Sequence, residues 1–332
     1  MRKGDGVMSR LALTLLLAMA PAFAAVNGVI VNGSTNQPQA NVVVMLVEPT
    51  QGGMQNLGTV KTDAQGKFSF ASNDAQGPRL IRAIYEGVLY NKMIPPGMPS
   101  TGVQVDVYNS TNKPGTAKVA QHFIVLQPGQ TETTVSEGIL YQGGPNLTYN
   151  NPKEGSARFY LPPEANGKVS VTVNPAGGMP IQRPAEKTKE PNVYKIDYPI
   201  PPGETRFDLN YTIPTTNPLV FSDKLIQPED SSNFVVPAGV TVKSDDLKLV
   251  GTEPKTQASI YRIENTSFKI EVDGTGSLTE AAGGGSDSGE DSGQPNIQEV
   301  RPRIYQNLYW ILGMSFAILG LGSYLLYRNT AK

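Results

Sequence analysis

The sequence contains no cysteine and only one histidine, His122. Disulfides, thiolate zinc sites and cysteine nucleophiles are thereby excluded, and a lone imidazole argues equally against histidine-rich metal sites and triad chemistry. Charge is scarce in one sense only: 28 Lys and Arg stand against 29 Asp and Glu, for a net charge of -1 and a pI near 6.0. No excess of cations exists to build the basic face that phosphates require, which excludes nucleic acid as a partner. G-x-S-x-G does not occur, and the glycines at 283–285 are not placed between a strand and a helix as a phosphate loop would be. No cofactor, metal or catalytic residue is therefore expected. Long apolar runs are also rare. Leu308 to Tyr327 is predominantly apolar and free of charge over twenty residues, the length that spans a bilayer as a helix.

The two ends of the chain read as export and anchorage. Arg2, Lys3 and Arg10 precede the apolar run Leu11 to Ala20, which is followed by Pro21 and the small-residue pattern Ala22-Phe-Ala24. This is the layout of a signal peptide over 1–24, with Met8 as an alternative start. At the other end a transmembrane helix is expected over 304–327 and a cytoplasmic tail over 328–332. Arg301 and Arg303 on one side balance Arg328 and Lys332 on the other, so the positive-inside rule ties and the signal peptide decides the orientation. The expected location is the cytoplasmic membrane, single pass, with the N-terminal bulk on the periplasmic or extracellular side. Gly313, Ala317 and Gly320 share one helix face and allow a homodimer by close helix approach.

Between the ends, 34 glycines and 27 prolines punctuate short apolar runs, the pattern of an all-β protein. Tyr194, Ile196, Tyr198 and Ile200 alternate with other residues, as do Phe207, Leu209, Tyr211 and Ile213; Val169, Val171 and Val173; and Phe268, Ile270 and Val272. A period of two means one buried and one wet face, hence antiparallel sandwiches. Two β-sandwich domains are expected, at 25–100 and 101–273. From 274 to 303 the chain turns to Gly, Ser, Asp and Glu and reads as a flexible acidic linker.

The first segment carries a set of turn and core positions in a fixed order. A strand opens at Gly28 and runs to Val31; Pro38, Ala40 and Val42 follow; then Thr62, Asp63, Gly66, Phe68 and Phe70 form T-D-x-x-G-x-F-x-F. This segment of about seventy residues resembles the carboxypeptidase regulatory-like domain. The resemblance implies a transthyretin-like sandwich of about seven strands and an accessory role without peptidase activity. Where the family usually has an aromatic after Gly-Pro this chain has Arg79, which predicts an edge strand there.

Few residues suggest chemistry. His122 lies in an apparent strand with no nucleophile motif nearby and reads as a surface or interface histidine. The pairs Glu229-Asp230 and Asp245-Asp246 read as solvated turn charges, since neighbours on a strand point to opposite faces. Sequons at Asn32, Asn109, Asn146, Asn210 and Asn265 matter only in a glycosylating host. The chain is thus expected to be a non-enzymatic binding, scaffolding or surface-assembly protein whose open sheet edges take a protein or glycan partner. Two rivals make distinct demands. A hydrolase of peptides or glycans would use carboxylates such as Glu132 and Glu137. A carbohydrate-binding module would align Tyr141, Tyr149 and Tyr160 on one exposed face.

Overall fold

The computed structural model describes residues 25–278 except 52, 72–76 and 228. The signal peptide at 1–24, the linker beyond 278, the transmembrane helix with Gly313, Ala317 and Gly320, and the tail all lie outside the described residues. Among the described residues no helix is long and apolar enough to cross a membrane.

The described residues are all-β and built as sandwiches. The first eight strands are β1 (Ala25–Asn32), β2 (Gln37–Pro38), β3 (Val43–Thr50), β4 (Gly53–Lys61), β5 (Lys67–Ala71), β6 (Arg79–Tyr85), β7 (Val88–Ile94) and β8 (Val103–Val107). They form one sheet in the order β4-β3-β6-β7 and a second around β1, which pairs with β2 and β5 antiparallel and with β8 parallel. The inward residues of both sheets share one core that includes Val26, Ile30, Val44, Phe68, Phe70 and Ile81.

The T-D-x-x-G-x-F-x-F segment folds as its residue types dictate. Asp63 Oδ1 accepts the amides of Gln65 at 2.9 Å and Lys67 at 2.8 Å, and Gly66 takes the left-handed φ of 71° that closes the turn. Phe68 and Phe70 then alternate into the core. Thr62 Oγ1 donates to the carbonyl of Gln39 at 2.8 Å and accepts the amide of Val42 at 2.9 Å, so its buried hydroxyl is fully used. Gly28 serves a different need: a Cβ there would lie 1.9 Å from the carbonyl oxygen of Val103, so only glycine lets β8 pair at that point.

The remaining strands are β9 (Ser110–Thr111), β10 (Lys118–Pro128), β11 (Glu132–Gly143), β12 (Thr148–Tyr149), β13 (Ala157–Tyr160), β14 (Ser170–Pro175), β15 (Ile181–Arg183) and β16 (Glu186–Lys187). They continue with β17 (Val193–Ile196), β18 (Gly203–Pro214), β19 (Leu219–Lys224), β20 (Ser232–Val236), β21 (Thr241–Lys243), β22 (Leu247–Thr252), β23 (Ser259–Ile263) and β24 (Ser267–Asp273). An eight-stranded sheet, β15-β14-β18-β11-β10-β20-β23-β22, packs against two three-stranded sheets, β13-β17-β16 and β19-β24-β21. The alternating residues read from the sequence meet in this second core: Ile196 and Ile200, Phe207 and Leu209, Val171 and Val173, Ile270 and Val272 are all buried.

Three boundaries and edges differ from the sequence reading. Strand β8, read as the start of the second domain, joins β1, and Val105 and Val107 belong to the first core. Arg79 is buried on β6, an interior strand flanked by β3 and β7, because the hairpin partner β7 covers the side that the sequence left open. The start of the acidic linker is held to the fold: Gly276 N donates to Pro128 O at 3.0 Å and Leu278 N to Gln127 Oε1 at 2.9 Å. The two cores also touch. Tyr90 OH donates to the carbonyl of Tyr108 at 2.9 Å and sits 2.7 Å from Thr148 Oγ1.

Candidate functional site: a buried charge cluster and an edge-lined cleft

Inward positions of β10 and β11 would ordinarily be apolar, and His122 and Glu137 break that pattern. His122 is 5% exposed and lies between two carboxylates. Its Nδ1 is 3.0 Å from Glu229 Oε1 and its Nε2 is 3.4 Å from Glu137 Oε2, the second an ion-pair separation rather than a well-aligned hydrogen bond. Tyr211 on β18 donates to Glu137 Oε1 at 2.5 Å, and Ser232 donates to Glu229 Oε2. Asp223, on the facing sheet, is buried close by. The surface reading of His122 is therefore wrong, and so is the solvated reading of Glu229, whose side chain is 6% exposed. Asp246 does sit in a turn, accepting Asn265 Nδ2 at 2.7 Å and the amide of Lys269 at 3.1 Å. Among the described residues no group of three or more His, Asp or Glu side chains has the geometry to hold a metal ion.

Burial by itself pushes the His122 imidazole down, but the close carboxylates of Glu137 and Glu229 outweigh it and raise it to about 10. Asp223 is raised well above its ordinary value, first by burial and then by the charge of Glu137. Both groups hold protons in the folded state that the unfolded chain gives up at lower pH. A raised value stabilises fully below the unfolded pKa, about 6.5 for histidine, and that contribution is lost as pH rises toward the folded value. The thermal midpoint of the second core is expected to fall between pH 6.5 and 10, and His122→Gln is expected to flatten that slope. A midpoint constant across this range in the wild-type protein would show that the imidazole is not held protonated.

A cavity of about 570 Å³ opens beside the first core, and none of the cluster's residues lines it. Gly87 to Lys92 line it without a break, so the border is the edge of β7 rather than one of its faces. Gln104 to Asp106 of β8 line it in the same way. It is also lined by Pro152, Pro175, Pro199, Pro201 and Pro202, which come from the loop before β13, the end of β14 and the segment leading into β18. Arg183 lies over the ring of Tyr198, its guanidinium carbon 5.4 Å from the ring centroid. The Arg183 Nε is buried with no hydrogen-bond partner among the described residues. This cleft is at the Gly143 end of the β10–β11 hairpin, where Gly143 packs on the Pro201 carbonyl. The described chain ends at Leu278, at the Pro128 end of the same hairpin. Twelve-residue β11 separates those ends by about 40 Å.

The residues named for the two rival readings do not come together. Glu132 is exposed and Glu137 buried, on opposite faces of β11, so they do not converge. Tyr141 is buried at 1% and donates to Gln227 Oε1 at 2.6 Å, while Tyr149 and Tyr160 are half-buried, so the three share no exposed face. The sequon at Asn32 is buried, its Nδ2 bonded to Gln39 Oε1 at 2.9 Å and Asn109 Oδ1 at 2.8 Å.

No protein-family model matches this chain, and no curated protein does. Among solved structures it is similar to a mutant M1 zinc metallopeptidase from Deinococcus radiodurans, at 10% identity and a TM-score of 0.26. The same enzyme bound to a Tyr-Ser-Ala substrate matches at 10% identity and a TM-score of 0.27. Each alignment covers 48% of this chain and 42% of the peptidase, so the match spans less than half of that protein.

Proposed function

We propose that this protein is an exported, non-enzymatic binding or scaffolding module, held in the cytoplasmic membrane by a helix at 304–327, and that the cleft beside β7 is where it takes its partner. The observation that carries this reading is the division of labour within the fold. The titratable side chains that gather most closely, His122, Glu137, Glu229 and Asp223, are packed in a sandwich core. The open cavity is bordered by strand edges, tyrosines and prolines together with the charged side chains Arg82, Lys92, Asp106, Arg183 and Asp197, a mixed lining suited to recognition. The folded T-D-x-x-G-x-F-x-F turn supports a carboxypeptidase regulatory-like, transthyretin-like assignment for the first sandwich, and with it an accessory role. The signal-peptide pattern and the uncharged run Leu308 to Tyr327 support export and anchorage.

The topology has a direct test. Protease added outside spheroplasts is expected to remove everything up to the linker, and deletion of 308–332 is expected to release a soluble protein. Survival of the full-length chain under external protease would reverse the orientation and remove the exported cleft from the proposal.

A further inference from the structure

We infer that the cleft captures an extended peptide as an added strand on β7, with an acidic side chain of that peptide at Arg183. This rests on the reading of the cleft as the binding site and specifies the ligand it takes.

The turn before β7 fixes which of its backbone groups are free. Glu86 and Gly87 have φ of 47° and 77°, both positive, and they join Tyr85 to its partner Val88 as a two-residue type I′ hairpin. In such a hairpin the flanking residues form a hydrogen-bonded pair, and bonded and non-bonded pairs then alternate. Val88 and Tyr90 thus turn their amides and carbonyls toward β6, while Leu89 and Asn91 turn theirs away. Among the described residues β7 pairs only with β6. The groups of Leu89 and Asn91 therefore point out of the sheet along the stretch that borders the cavity. An unpaired row of this kind is a template for one more strand.

The rest of the lining decides how many strands fit. Proline has no amide hydrogen, so the five prolines give packing surface but no donor for a further strand. A cavity of about 570 Å³ along the β7 edge is on the scale of one short extended chain, far less than the sheet of a second copy needs. Val88 to Lys92 bound it for five residues, a run of about 17 Å. Arg183 supplies a side-chain preference: its Nε is buried without a hydrogen-bond partner among the described residues and its guanidinium lies over the Tyr198 ring, which leaves a planar cation for a carboxylate.

The test selects a display library of random seven-residue peptides against the full-length protein in detergent, and then measures amide exchange with the best synthetic peptide bound. Selected peptides are expected to alternate β-forming residues with an acidic position, and to slow exchange at Leu89 and Asn91 at least tenfold. Asn91→Pro, which removes an outward amide at a position where an edge strand tolerates proline, is expected to weaken binding at least tenfold at unchanged melting temperature. Leu89→Pro is the second variant should Asn91→Pro lower that temperature. Arg183→Gln is expected to weaken the acidic peptide and not its Glu-to-Gln analogue. Binding that leaves the two amides unprotected, or that survives both proline variants, would overturn strand addition. An oligosaccharide that perturbs Tyr198 while no peptide protects β7 would overturn it too, yet leave the cleft as the binding site. Failure of both peptides and oligosaccharides to perturb any cleft residue would overturn both proposals.

Discussion

Replacing His122 by alanine is expected to lower the stability of the second core by about 3–5 kcal/mol, measured by urea unfolding. The imidazole is the cation between Glu137 and Glu229, and all three side chains are nearly closed to water. Removing one partner from a buried ionic group leaves uncompensated charge where water cannot reach, which is what makes such losses large. The sign is checked by a second substitution. Glu229→Gln added to His122→Ala removes one of the two stranded charges and is expected to recover part of the loss. A loss below about 1 kcal/mol for His122→Ala would place the cluster in contact with solvent, where ion pairs contribute little.

Gly66→Val is expected to cost about 2–5 kcal/mol, and to cost it in the first core alone. Residue 66 has φ of 71°, a region that penalises an L side chain by about 1–2 kcal/mol, more for a β-branched one. A Cβ would also lie 2.7 Å from the carbonyl oxygen of Ile30 and 3.0 Å from the amide nitrogen of Gln39, so overpacking adds about 1–3 kcal/mol. Amide exchange is expected to accelerate across 26–108 and to stay nearly unchanged across 119–272. Equal acceleration in both would mean that the Tyr90 and Thr148 contact welds the two cores into one cooperative unit.

How much of this could be read from the chain depended on how local the determining contacts are. The Asp63 to Gly66 turn and the alternation in β14, β18 and β24 were legible because each is settled within a dozen residues by φ preference or by a period of two. The position of Arg79 was misjudged because an edge is defined by a neighbour: β7 covers β6, and nothing in β6 itself announces that. The His122 cluster escaped because its partner Glu229 is 107 residues away. One signal was present. His122 alternates with Ile124 and Leu126, and Glu137 stands between Val135 and Ile139, so each occupies an inward slot in an otherwise apolar set. Two polar residues at inward positions on adjacent strands call for each other. The cleft carried no comparable signal, since its prolines come from three distant stretches of chain that only the fold brings together.

A binding role at the cleft is tested most directly by site-specific photo-crosslinking in living cells at two exposed leucines. Leu89 borders the cleft and is 46% exposed, whereas Leu249, 59% exposed on the edge strand β22, lies outside it. With a photoreactive phenylalanine analogue at each position in turn, a discrete crosslinked product is expected at 89 and none at 249. A discrete product at 249 with none at 89 would contradict the assignment of the cleft and move the binding surface to the edge of the eight-stranded sheet.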